Sequence, residues 1–138
     1  MKMTDHFSSE EFESKDGTKY PEEWFLYRLK PLCCVLEKIR ALTNQPLFIS
    51  SGYRSRVYNA ALYRKMGKPT TTKSMHCEGL AADIHLTGMT ANQLHIAIEH
   101  LIEKKVIPNG GVGVYPTFVH YDLRGLLNLP AARWEQTA

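Results

Sequence analysis

Two imidazoles and one carboxylate stand out for the chemistry they could share. His76 and Asp83 lie in Ser74-Met75-His76-Cys77-Glu78-Gly79-Leu80-Ala81-Ala82-Asp83, and His120 lies in Phe118-Val119-His120-Tyr121-Asp122. Such a set can hold a zinc ion and leave one position open, which separates a catalytic zinc from a structural one. An open position on zinc points to hydrolysis. Of the remaining histidines, His6, His95 and His100 read as surface or hydrogen-bonded residues. His85 shares a strand face with Asp83 and stays ambiguous. A carboxylate such as Asp83 in the middle of an apolar strand is costly to bury unless it is paired or bound to metal.

The elements that must position these groups follow from periodicity. Residues 79–86 read as a strand, with Leu80, Ala82, Ile84 and Leu86 facing one way and Ala81, Asp83 and His85 the other. Val112 to Tyr115 and Phe118 to Leu123 read as a hairpin around Pro116-Thr117. In its second arm, Phe118, His120 and Asp122 share one face. A sheet that joins the two strands could place Asp83 beside His120. His76 precedes its strand in a loop, and Gly79 would let that turn pass close to the site.

Elsewhere, Phe25, Leu29, Leu32, Leu36 and Ile39 recur at steps of four and three, which is one helix face. Pro31 interrupts it, so either a short helix ends near Leu29 and a second begins at Pro31, or one helix kinks. Ser8-Ser9-Glu10-Glu11 resembles a short helix start, with Phe7 and Phe12 as anchors onto the core. Leu47 to Ser50 reads as a buried strand, residues 55–65 as a helix and residues 67–75 as a loop. Thr90-Ala91-Asn92-Gln93 has the form of a capping box, opening a helix with Leu94, Ile98, Leu101 and Ile102 inward. Gly110-Gly111-Val112-Gly113 lacks the Lys-Ser/Thr ending of a phosphate loop and reads as a flexible lead-in to a strand. The sum predicts one α+β domain over residues 1–138, with helices packed on a small antiparallel sheet.

Bulk properties narrow the function. The 138 residues suit one core, and no apolar run approaches the roughly 20 residues of a membrane span. The net charge of +3, from 17 basic and 14 acidic residues, would favour an anionic partner such as a cell-wall polymer. It is too weak to argue for nucleic acid. Cys33, Cys34 and Cys77 give no disulfide framework, and a reduced environment is the simplest reading. The start, Met-Lys-Met-Thr-Asp-His-Phe, has no apolar stretch behind its lysine and does not read as a secretory signal. Synthesis in the cytoplasm, followed by release or export by another route, is the expectation. A monomer is expected.

The motifs Ser-x-His-x-x-Gly-x-Ala-x-Asp (Ser74 to Asp83) and Gly-Val-Gly-x-Tyr-Pro-x-Phe-Val-His-x-Asp (Gly111 to Asp122) resemble the zinc D-alanyl-D-alanine carboxypeptidase family. These are peptidoglycan peptidases that share their fold with the hedgehog signalling domain. Ser51-Gly52-Tyr53-Arg54-Ser55 with Asn59, and the ending Arg124-Gly125 followed by Ala132-Arg133-Trp134, are similar to that family too. The resemblance implies one zinc ion held by His76, Asp83 and His120. It implies that Arg54, whose planar fork suits a carboxylate, anchors substrate. Ser74 would be a polar substrate contact beside the site. Tyr115, read from its own position, could line the cleft or sit in the core.

One departure bears on catalysis. Some members, notably certain phage lysins, carry an acidic general base three residues before the last His ligand, and here that position is Thr117. The nearest acid on the right strand face is Asp122, about 6–7 Å along the strand from His120, within reach through a water. Asp122 is therefore the expected base; the alternative is a carboxylate that orients an imidazole. His85 is a lesser candidate for the same task. The function expected is zinc-dependent hydrolysis of an amide bond in peptidoglycan stem peptides, by a carboxypeptidase or endopeptidase, fitting a phage or prophage lysis enzyme. Two other readings stand beside it. One is a non-catalytic zinc module that recognises cell wall or a protein partner; the other is a helical interaction protein with incidental histidines.

Overall fold

The apolar repeat from Phe25 to Ile39 forms two helical segments joined end to end in the computed structural model, which describes residues 1–70 and 73–136. Phe25–Leu29 is a π-helical turn whose closing bond runs from the Lys30 N–H back to the Phe25 carbonyl. Lys30–Arg40 (α1) continues as α-helix with Pro31 in its first turn. Proline has no N–H to close a four-residue turn and its ring crowds the carbonyl four residues back. The winding changes just ahead of it, and the chain carries on. Leu29, Leu32, Cys33, Val35, Leu36 and Ile39 are all buried along this face.

Local capping sets the other helices. The Ser55 hydroxyl accepts the Tyr58 N–H at 3.0 Å and starts Arg56–Lys65 (α2). Thr90 and Gln93 form the expected reciprocal box at the start of Ala91–Glu103 (α3). Ser8 and Glu11 do the same for a short 3-10 turn, Ser9–Phe12, which buries Phe7 and Phe12. The loop expected over 67–75 includes Thr71 and Thr72, which lie outside the described residues.

Five strands form one sheet: Leu47–Ser51 (β1), Ala81–Leu86 (β2), Gly111–Val114 (β3), Val119–Asp122 (β4) and Ala132–Glu135 (β5), in the order β1-β2-β4-β3-β5. The class is α+β, but the antiparallel expectation is corrected: β5 runs parallel to β3, so the sheet is mixed. The segment Ala132-Arg133-Trp134-Glu135 alternates apolar with charged and half-buried with exposed, but with only Ala132 and Trp134 on its apolar face it is too short to stand out by periodicity. The glycine run is corrected as well. Gly111 and Gly113 are buried positions within β3, fixed by ladder bonds to β4, rather than a flexible lead-in.

Register gives the sheet two unlike faces. Ala82, Ile84, Val112, Val114, Val119 and Tyr121 look into the core, where they join Leu32, Leu36, Ile39, Leu94 and Ile98 from α1 and α3. Asp83, His120, Asp122, Gly111 and Gly113 occupy the opposite face. Apolar burial on one side fixes this register, since a one-residue slip would exchange the faces.

Candidate metal centre

One cross-strand row carries the site. Ser51 pairs with Asp83, Asp83 with His120, His120 with Gly113, and Gly113 with Trp134, so the row crosses all five strands. A register shift between Ile49 and Ser51 in β1 brings Ser51 opposite Asp83. His76 enters from the turn before β2. The Gly79 N–H donates to the His76 carbonyl, and so closes that turn. Gly79 has φ +68°, which favours glycine, and a Cβ there would stand 2.6 Å from the Tyr20 hydroxyl. The Tyr20 hydroxyl donates instead to the Gly79 carbonyl at 2.7 Å and pins the turn to the core.

The donor atoms converge. Asp83 Oδ1 lies 3.2 Å from His76 Nε2 and 3.1 Å from His120 Nδ1, and all three residues are buried. Their ligand atoms fall within 4.8 Å of one another. Ligands about 2.0–2.1 Å from a tetrahedral ion stand roughly 3.3 Å apart, so this spacing fits an ion among them. The second nitrogen of each imidazole is already bonded. His76 Nδ1 faces the Gly52 carbonyl at 2.7 Å, and His120 Nε2 faces Asp122 Oδ2 at 2.7 Å. Each partner is an acceptor, so each of those nitrogens carries a proton; the other nitrogen of each ring faces Asp83 Oδ1, the place a bound metal would take. Such outer partners fix tautomer and ring orientation in metal sites. Nitrogen and oxygen donors of this kind suit a divalent transition metal.

Electrostatics agree with the hydrogen bonds. Burial would raise the Asp83 carboxyl, but hydrogen bonds and charge from His120 and His76 outweigh it and hold the group ionised well below the usual range. Burial lowers His76. Burial also disfavours charge on His120, yet bonds to Asp122 and Asp83 win and raise it. Asp122 is pulled down by His120 and Arg124 against its burial.

Every other residue expected at the site is accounted for. The Arg54 fork is placed by Ser51 Oγ at 3.1 Å from Nε, Asn59 Oδ1 at 3.3 Å and Asp83 Oδ2 at 3.4 Å. It therefore holds the Asp83 oxygen that does not face the histidines. Ser74 is buried, and its hydroxyl accepts the His76 N–H at 3.2 Å within the turn. Tyr115 stacks on Phe118 with ring centroids 4.3 Å apart, and its hydroxyl accepts the Trp134 indole N–H at 3.0 Å. Asp122 is fully buried with both oxygens engaged. Oδ1 accepts from the Gly111 and Arg124 backbones and from Arg124 Nε, while Oδ2 meets His120 and the other arm of the Arg124 fork. His85 is exposed and stacks on Phe48 at 5.0 Å. Thr117 is exposed. His6 pairs with Glu37 and His95 with Glu99, away from this row.

Two contributors had no site role assigned from the sequence, although Trp134 stands in the family-like ending. The Gly52 carbonyl is backbone and leaves no side-chain signal. Trp134 sits with its ring centroid 4.9 Å from that of His120. The alternation Gly111-x-Gly113 was the available clue, since two small residues on one strand face leave room for large groups crossing it.

Comparison with known proteins adds independent support. The chain is 34% identical over 94 residues to the peptidoglycan L,D-endopeptidase MepK of Escherichia coli, covering 67% of this chain and 45% of that protein. It is 34% identical over 83 residues to the probable peptidoglycan L,D-endopeptidase MepK of Haemophilus influenzae, covering 59% of this chain and 41% of that protein. The chain thus spans less than half the length of the curated relatives it matches. No solved structure matches it. The family model for peptidase M15 matches residues 4–122, a span that includes all three convergent donors and Arg54, and the chain belongs to the M15 peptidase family.

Proposed function

We propose that this chain hydrolyses an amide bond in peptidoglycan peptides with one zinc ion held by His76 Nε2, Asp83 Oδ1 and His120 Nδ1. The observation that carries the reading is the convergence of three buried donors whose remaining atoms are already satisfied. A zinc in that set supplies Lewis acidity and an activated water. Arg54 binds a substrate carboxylate and aligns the peptide. Its side chain is 13% exposed, and the charges around it leave donor capacity on the fork. Asp122 orients His120 instead of accepting the water's proton, because both its oxygens are occupied and none of its side chain reaches solvent. Ser74 keeps the His76 turn in shape, and Tyr115 lines the cleft beside Trp134. The relatives' names favour an L,D bond over a D,D bond. The motif order supports a D-Ala-D-Ala peptidase or hedgehog type of fold acting on the cell wall.

Digestion of purified peptidoglycan with identification of products by mass tests this directly. New amino termini at an L,D linkage, dependent on zinc and lost in His120→Ala, are expected. Full activity of His120→Ala would sink the proposal.

A second reading draws on Thr117 and Asp122. With threonine at the position that bears an acid in some members and Asp122 committed to Arg124, a zinc module that binds wall peptides without cutting them is consistent. Sedimentation with peptidoglycan but no release of amino groups would favour it.

A further inference from the structure

Beyond the matched span, which ends at Asp122, β5 carries the family-like ending Ala132-Arg133-Trp134 and brings an indole to the metal centre. Its parallel register with β3 puts Trp134 opposite Gly113, which itself pairs with His120. A Cβ at Gly113 would collide with the indole, so the glycine is the gap through which Trp134 reaches across a strand. The two rings meet at 51°, with centroids 4.9 Å apart. Three contacts hold the indole: Nε1–H donates to the Tyr115 hydroxyl at 3.0 Å, the Arg124 guanidinium stands 5.5 Å from the ring centroid, and β5 bonds to β3.

The His120 ring is otherwise restrained by Asp122 at Nε2, by Asp83 at Nδ1 and by the His76 ring, 5.1 Å away at 74°. The two carboxylates hold the ring at its nitrogens and leave it free to swing about the line between them. A flat, anchored wall at 4.9 Å removes the swing. Arg124 links both restraints, since it binds Asp122 and also lies beside Trp134.

We infer that Trp134 is a positioning residue of the metal centre: through the gap at Gly113 it fixes the His120 imidazole with Nδ1 aimed at the ion. The inference rests on the zinc-site reading above. Pre-ordering a ligand lowers the conformational entropy lost when metal binds, and partners of this kind change metal affinity about 10–100-fold.

Two measurements on the full chain test it. Zinc affinity by competition with a chelating dye should fall about tenfold or more in Trp134→Ala and largely recover in Trp134→Phe, which keeps a flat wall. Unchanged affinity in folded Trp134→Ala overturns the inference, even if melting temperature drops, because a purely structural tryptophan would lower stability alone. The chain has two tryptophans, so Trp24→Phe leaves Trp134 as the sole indole. Cobalt(II) added to that variant should quench its emission with a one-to-one endpoint. Bound cobalt, counted by dialysis, without quenching overturns the placement of Trp134 at the site. A wild-type chain that binds neither metal overturns the zinc-site reading and this inference together, which separates the two failures.

Discussion

At the scale of single residues, the roles of His120 and Asp122 divide the mechanism. Alternation in the sequence placed both on one strand face, and that much was legible because strand periodicity is two. Which imidazole nitrogen each acid would meet was not legible, since it depends on side-chain rotamers and on Arg124 two residues further on. The structure gives His120 Nδ1 to Asp83 and Nε2 to Asp122. Asp122→Asn should therefore weaken zinc binding about 10–100-fold while leaving turnover substantial at saturating zinc. A general base would behave differently: its loss removes about 10²–10⁴-fold in rate, however much metal is supplied. Peptide release measured across a zinc titration distinguishes the two. At Arg54, replacement by Lys keeps charge but loses the fork. Arg54→Lys should raise KM for a substrate with a free carboxylate more than it lowers kcat, and steady-state kinetics on a short wall peptide would show the split; equal loss in both would place Arg54 in support of Asp83 instead.

At the scale of elements, the strands that carry ligands were readable and the strand that walls them was not. β2 and β4 announce themselves through Leu80, Ala82, Ile84, Val119 and Tyr121, which bury one face. β5 only half-buries two residues, Ala132 and Trp134; its partner β3 and the passage over Gly113 define it, and both are tertiary facts. Pro31 marked the break near Leu29 in the sequence, but not that the segment ahead of it is a π-turn, which shifts spacing by a single residue. The His76 turn joins these levels. Gly79 combines a positive φ with contact against Tyr20, so Gly79→Ala meets strain and a clash together. Strain of this kind costs about 1–3 kcal/mol. Gly79→Ala should lower the melting temperature and weaken zinc binding in parallel, as seen by calorimetry and dye competition. A stable variant that binds zinc normally would show that the turn adapts without moving His76.

At the scale of the whole molecule, the buried cluster makes stability depend on protons and metal together. Without metal, His76 is depressed below its ordinary 6.5, so as pH falls through 6.5 the unfolded chain takes up a proton there that the folded chain refuses. Asp83 and Asp122 are depressed too, and their contribution starts to fall as pH drops below the ordinary carboxylate value of 3.8 and is gone only below their lower folded values. All three make the chelated protein less stable toward acid. His120 acts in the opposite sense: it is raised, so its contribution is complete below 6.5 and is lost as pH climbs through its folded value. The chelated protein should therefore melt highest near pH 6.5 and lose stability on both sides. Zinc held as proposed would replace the proton on His120 Nδ1 with a ligand bond, and an ion at 100 times its dissociation constant would add about 2.7 kcal/mol. Loaded protein should then hold its melting temperature above pH 7, where the chelated form declines, and the gap between the two should widen with pH. Calorimetry with zinc and with chelator from pH 4 to 9 reads this in one series. Parallel curves would mean that zinc binds away from His120, and that the buried row is an ion-pair cluster in which Asp83 needs only its histidines.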